Sequence, residues 1–514
     1  MDDIQFPEEP VFEETDINSI ESYDKVLQES KVYLGDGTIT RDEMLAMPEK
    51  RFWYLLQTFY RGGVMKSKDN DNMIRLYFHA IMGAYLKDYT VMKGGGATDL
   101  RIPIIWVQDS GSGKSQLNKY GVDVSRKLGM KAVETTEFTN AGMIGTHDRH
   151  AHEFNVKNGL TPGQSKIVKK KDGTEQTVAY RDPIIYGDMK NHDLLFVDEG
   201  KILFQTGNHT ENILSILQPA LDYPGRVRKK LAAEVPIEYE SSCTLVISTV
   251  EFSGLNGELM LQGFFPRCLF FMRKISFYNY AKMHSKLCHE VFDEEKYKSY
   301  IKDFTSGIMD HPTAPITRDR RKILVNPTVL PVVDHTIASW FDIAKNSLHG
   351  REARIIAAFI SRLHTFMYKI AGQVAVLNNK IKTTDKGVSQ FEIGLEEMTY
   401  SLEVLTPLFR DLIKGMGVSE TVFDRKISGV ANKIIYEMKK NNMETINKGQ
   451  LVKAITKTLG IGRGKGEAMY SELVRGNYFI VGEYGSGKKI QLTPNWSSHN
   501  REYNAYNKGD KEQY

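Results

Sequence analysis

Apolar positions fall in two rhythms along this chain. Ile102, Ile104, Ile105, Trp106 and Val107 form a short apolar run, as in a buried strand, and Leu117, Tyr120, Val124 and Leu128 then recur at helical spacing. Short runs return at 132–134, 194–197, 244–247 and 268–272, with helical or polar stretches between them. Strands of this kind alternating with helices predict an α/β core.

Upstream, residues 47–92 read as two amphipathic helices, with Phe52, Trp53, Tyr54, Phe59 and Tyr60 assigned to packing, and Gly94-Gly95-Gly96 reads as a flexible join. The core is placed at 93–275. Residues 276–423 form a connecting region and a helical lid, in which 351–377 carry Ile355, Phe359, Leu363, Phe366, Ile370, Val374 and Leu377 on one stripe and 391–415 add further helix. Residues 424–498 show three helices (428–440, 448–459 and 464–476) followed by a hairpin, a winged-helix pattern with 485–487 as the wing tip. Residues 1–46 and 499–514 read as disordered tails.

Composition adds little until charge is resolved by position. At 514 residues with 41% hydrophobic and 26% charged, the chain has room for two to four ordinary globular domains. Without a long apolar run or a leader-like start, the expectation is a soluble, intracellular, cytoplasmic protein with no membrane contact. Cys243, Cys268 and Cys288 lack metal spacing and read as reduced packing residues. The net charge is +4, but residues 1–30 hold ten acids against one lysine, which leaves +13 on the rest. An acidic tail on a basic body fits a nucleic-acid partner.

The candidate chemistry starts after the first strand of the core. Asp109-Ser110-Gly111-Ser112-Gly113-Lys114-Ser115 is a loop of small residues opening a helix, where backbone N–H groups can cradle phosphate, Lys114 can reach the β and γ phosphates and the Ser115 hydroxyl can ligate Mg²⁺. Gln108 stands where the usual G-x-x-x-x-G-K-[ST] pattern has its first glycine. The segment 482–489, GEYGSGKK, has that glycine but ends in Lys489 and is flanked by strand patterns, so it reads as a hairpin. At 194–199, LLFVDE is a buried strand ending in two acids, 84 residues after Lys114. Asp198 would complete the magnesium shell, and Glu199 would act as general base on the attacking water.

Other candidates are more exposed to chance. Thr249, preferred to Ser248, ends the strand at 244–247, where a polar group would touch the γ-phosphate or the water, and Arg267 precedes the last core strand, from which it would reach a neighbouring subunit's nucleotide. Two basic hairpins, at 165–180 with Lys169 and Lys170 and at 226–239 with Lys229 and Lys230, are charged enough for nucleic acid, as are Lys488 and Lys489 beside the wing. The histidine-rich stretch 147–153 fits no standard zinc spacing and reads as a polar surface loop.

GSGKS, LLFVDEG, a basic hairpin before TLVISTV, and GFFPRCLFF stand in an order that resembles AAA+ ATPases, the minichromosome maintenance-like and phage- or plasmid-encoded replicative ring helicases in particular. The resemblance covers residues 93–274. It implies a P-loop NTPase core of AAA+ type with ATP and Mg²⁺ as cofactors. It further implies a homo-oligomer, a hexameric ring, with single-stranded DNA in its pore and Arg267 acting between subunits as a finger. Thr249 would be the sensor, Lys229 or Lys230 the hairpin tip on DNA, and Arg354 or Arg362 the lid arginine reaching the nucleotide. The function expected is an ATP-driven replicative helicase of a phage or mobile element. The alternatives are a nucleotide-dependent DNA loader or regulator, or an ATPase acting on a protein partner.

Overall fold

The computed structural model describes residues 39–494 except 64–69, 94–95, 109, 137–138, 171–173, 201–207, 230–235, 250–262, 273–292, 310–320, 348–349, 384–388, 419–421, 460–461, 476–478 and 485–488. Most of the acidic tail, Cys288, Lys230, Lys488 and the stretch 499–514 therefore lie outside the described residues.

The five apolar runs pair as one parallel sheet. Their spatial order is Leu269–Phe271, Ile104–Val107, Thr244–Thr249, Leu194–Val197 and Ala132–Thr135, so that numbered along the chain they lie 5-1-4-3-2. Register is set by Ile104 opposite Val246 and Leu269, and by Leu194 opposite Thr244 and Ala132. The three central strands have no exposed residue, which is why their sequences are apolar without alternation. Helix Lys114–Lys127 lies so close to the third chain strand that a β-carbon on Gly121 would sit 2.6 Å from the Phe196 ring.

A second, mixed sheet joins segments from the two ends of the body. Its order is Ile381–Thr383, Ser389–Ile393, Lys322–Val325, Thr90–Lys93 and Gly96–Asp99. Thr90–Lys93 pairs in parallel with Lys322–Val325 and antiparallel with Gly96–Asp99, so the glycine run expected to be a flexible join connects the arms of a hairpin. Helices Arg51–Gly62, Asp71–Tyr85, Glu294–Met309 and Gly350–Leu377 contribute to the same continuous hydrophobic core as the parallel sheet. Cuts at 92/93 and 275/276 do not divide that core.

Three further expectations change. The tail does not stay irregular through residue 46, because Thr40 and Glu43 make a reciprocal capping box that starts helix Arg41–Ala46. The histidine-rich stretch is helix Arg149–Asn158 rather than a loop, with Asp148 at its N-cap accepting from the His150 and Ala151 amides at 3.0 and 3.2 Å. Residues 389–393 are strand before helix Leu395–Val418 begins, their alternation of buried Phe391 and Ile393 outweighing helix propensity.

At the N-terminal edge of the parallel sheet, charge is buried and saturated. Arg101 pairs with Asp99 through Nε, donates from Nη1 to the carbonyls of Ala220, Ser241 and Cys243 at 3.3, 3.2 and 3.2 Å, and from Nη2 to that of Asp222 at 2.8 Å. Lys369, from helix Gly350–Leu377, donates to Asp99 Oδ1 at 2.9 Å and to the Arg101 carbonyl at 2.8 Å. Lys369 and Arg101 together hold the Asp99 carboxyl below its usual range against the opposing effect of burial.

The C-terminal unit has its own core of Val430, Ile434, Ile435, Leu451, Ile455, Leu473 and Phe479. Its helices Val422–Lys440, Lys448–Leu459 and Arg463–Arg475 are followed by antiparallel strands Phe479–Tyr484 and Lys489–Pro494, with Ile446–Asn447 pairing on the latter.

Candidate active site

All five parallel strands point their C-terminal ends to one edge, and most of the expected chemistry collects there. The loop 108–113 leaves Val107 and enters helix Lys114–Lys127. Gln108 turns its side chain into the body, where Oε1 accepts from Trp106 Nε1 at 2.8 Å, while its amide donates to the Thr249 carbonyl at 3.2 Å. The position therefore needs no glycine. Gly111 and Gly113 do: their φ values are 78° and 87°, a left-handed backbone that side chains resist and that shapes anion-binding concavities. Lys114 is buried, with Nζ donating to the Gln108 carbonyl and lying 3.4 Å from Ser112 Oγ.

Asp198 ties three elements together. Its Oδ2 accepts from Ser115 Oγ at 3.0 Å, and its Oδ1 accepts from Ser248 Oγ at 2.9 Å and from the Glu199 amide at 3.1 Å. A hydroxyl and a carboxylate this close are the kind of protein oxygens that magnesium takes beside phosphate oxygens. Glu199 is exposed and has φ 56°, an outlier for a residue with a side chain, of the kind that collects at functional sites. Ser248 and Thr249 project to opposite sides of their strand. Ser248 meets Asp198, whereas Thr249 is buried, and its Oγ1 has no hydrogen-bond partner among the described residues. The sequence preference for Thr249 over Ser248 thus divides into two distinct environments.

Sequence reasoning missed a polar layer behind this edge. Asn118, one turn after Lys114, accepts from the Tyr77 hydroxyl. Glu134, at the end of the neighbouring strand, has its pKa raised by burial, opposed by Asn118 and reinforced by Asp198. Tyr77 is fully buried, and burial pushes its hydroxyl well above the usual tyrosine range. The apolar spacing gave no signal for it, because at 3.6 residues per turn Asn118 falls off the stripe of Leu117, Tyr120 and Val124.

The remaining candidates lie elsewhere. Arg267 precedes strand Leu269–Phe271, so it stands at the opposite edge, where Nε and Nη2 donate to the two Asp222 carboxylate oxygens at 2.7 and 2.8 Å. Arg362 lies 3.6 Å from the same carboxylate, and Arg354 is exposed on that helix. Arg362 thus lies at the far edge from its own chain's loop, and Arg354 makes no hydrogen bond or ion pair with residues 108–115 among the described residues. Lys229 donates to the Gly145 carbonyl at 3.0 Å, and burial lowers its pKa, which makes it a tethered rather than a free hairpin lysine. Lys169 and Lys170 are exposed on the ribbon formed by Ser165–Lys169 and Glu175–Ala179, where most residues face solvent on both sides. Lys489 opens strand Lys489–Pro494.

Burial pushes the thiols of Cys243 and Cys268 well above their ordinary pKa, which keeps both inert. No helix among the described residues is long and apolar enough to cross a membrane. No protein-family profile matches this chain, and no curated protein matches it.

Proposed function

We propose that the chain is an ATP-hydrolysing P-loop motor of AAA+ type that assembles into a ring and works on DNA as the replicative helicase of a phage or mobile element. The observation that carries this reading is the convergence of Lys114, Ser115, Asp198, Glu199 and Ser248 at one end of a parallel sheet ordered 5-1-4-3-2. Ligands of open α/β sheets bind at the carboxyl ends of the strands.

In this reading the amides of 110–114 receive the phosphates and Lys114 leaves the Gln108 carbonyl for the β and γ phosphates. Ser115 and Asp198 fit the shell of a magnesium ion, which when bound neutralises charge on the phosphate oxygens. Glu199, held clear of the strand by its left-handed backbone, orients the attacking water and takes its proton. Thr249 supplies a hydroxyl beside the loop that is unpaired among the described residues. Arg267 stands too far from its own chain's loop to act there, so a finger role belongs to a neighbour's site and requires its pair with Asp222 to open.

The C-terminal unit has the element order of a winged helix, and with the exposed lysine ribbon it supports contact with DNA. The tethering of Lys229 favours one alternative, a loader or regulator in which this hairpin does not grip a strand. ATP hydrolysis with and without single-stranded DNA tests the proposal. DNA-stimulated turnover that Glu199→Gln lowers about 100-fold or more supports the motor. Turnover indifferent to nucleic acid moves the search to protein partners, and stimulated turnover without strand displacement points to the loader.

A further inference from the structure

Helix Asp71–Tyr85 lies outside the parallel sheet, yet it reaches both the phosphate loop and the helix that the loop opens. Asn70, its N-cap residue, donates from Nδ2 to the Ser112 carbonyl at 3.1 Å. Two turns later on the same face, the Tyr77 hydroxyl donates to Asn118 on the helix that the loop opens.

An asparagine at this position ordinarily accepts a hydrogen bond from the first turn of its own helix. Asn70 does not: its φ and ψ are −102° and −7°, helical rather than extended, and its side chain makes no capping bond. The amide is directed to another element instead. Local rules broken in this way tend to mark functional positions.

The acceptor it holds is the carbonyl between the two left-handed glycines, Gly111 and Gly113. A trans peptide is planar, with its C=O and N–H on opposite sides. Fixing the Ser112 carbonyl toward Asn70 therefore fixes the Gly113 N–H on the face away from Asn70. In a glycine-flanked loop that peptide would otherwise rotate at little steric expense.

We infer that Asn70 is a positioning residue for the phosphate loop, which sets the Gly113 amide for phosphate and is assisted by Tyr77 through Asn118. This rests on the proposed nucleotide role of the loop and adds an element from outside the sheet that preorganises it.

The test is ATP binding by the full chain with magnesium, measured by calorimetry beside thermal melting, for Asn70→Ser, Asn70→Asp and Tyr77→Phe. Serine and aspartate are good N-caps, but aspartate carries no donor and the serine hydroxyl ends one bond short of the amide nitrogen that meets the Ser112 carbonyl. Both are expected to melt as the parent does while binding ATP about tenfold more weakly, the scale of one buried hydrogen bond, with aspartate the weaker. Tyr77→Phe is expected to weaken binding a few-fold with its ring packing kept. In steady state the Asn70 variants should raise KM more than they lower kcat. Parent-like ATP affinity in both Asn70 variants overturns the inference, as does weakening that only parallels a fall in melting temperature. A parent protein that binds no ATP overturns the nucleotide reading itself, and this inference with it.

Discussion

The two edges of the parallel sheet are built from similar residue types and treat them in opposite ways. At the N-terminal edge, Arg101, Asp99, Lys369, Asp222 and Arg267 engage one another and the surrounding carbonyls. At the C-terminal edge, Glu199 is exposed in a left-handed conformation and Lys114 rests on a carbonyl of its own loop, while a buried hydroxyl without a partner among the described residues occurs at both edges, on Thr244 and on Thr249. A saturated network contributes rigidity, and breaking it leaves buried charge unpaired. The difference separates residues that hold the fold from residues available for chemistry.

Four experiments would break or sharpen this division. The largest effect is expected for Lys114→Ala and Glu199→Gln, which should each lower ATP turnover by roughly 100-fold or more with melting temperature unchanged. A parallel loss of stability would show that the C-terminal edge also holds the fold. Arg101→Met should act conversely, lowering the unfolding free energy in denaturant by about 3–5 kcal/mol, because Asp99 and several carbonyls lose their partner. Residual folded protein should bind nucleotide as before.

The third concerns a buried polar network away from both edges. His79 is fully buried between Gln373 and the Tyr400 hydroxyl, at 2.7 and 3.0 Å, and burial pushes its pKa down to about 4. Its folded-state pKa lies below the ordinary histidine value of 6.5, so the neutral form is the one the fold accepts. Stability should be unaffected by His79 above pH 6.5 and decline as pH falls from there to about 4, by about 3 kcal/mol, with little further change below. His364, whose pKa is also lowered by burial, adds to the same slope. Comparing melting temperature against pH for the parent and His79→Gln isolates the term, and an unchanged slope would refute it.

The smallest stability change belongs to Thr249→Val. Replacing an unpaired buried hydroxyl by a methyl group should leave stability unchanged or raise it by up to about 1 kcal/mol. A simultaneous fall in ATP turnover would show that the hydroxyl is kept for chemistry. Unchanged turnover would transfer that role to Ser248.

Much of this arrangement was legible in the sequence, and what was not has a physical cause. Apolar runs announce buried strands, so all five strands of the parallel sheet could be read, as could the helical stripe from Ile355 to Leu377. The small-residue loop and the Asp198-Glu199 pair were readable as positions, because each follows directly on an apolar run that forms a strand of the sheet. Strand pairing across the chain carries no such mark, which is why Gly94-Gly95-Gly96 was read as a join and not as a turn between paired strands. Nor can spacing reveal a residue such as Asn70, whose partner at Ser112 lies 42 positions away. Arg267 was placed correctly before its strand, but its bidentate hold on Asp222 depends on a contact 45 positions distant.

The pairing of Thr90–Lys93 with Lys322–Val325 also constrains how the molecule can be made and dissected. The loop after Val107 is synthesised early, but the sheet flanking its strand stays open until the ribosome has passed residue 325. Contacts so distant in sequence form slowly, and an unpaired strand edge invites association with other chains in the interval. A fragment ending at 275 would keep every residue assigned to hydrolysis and still present that bare edge. Nascent chains of that length should need chaperoning, and the smallest autonomously folding piece that holds the parallel sheet should extend through Ser389–Ile393, where the second sheet acquires its last parallel partner.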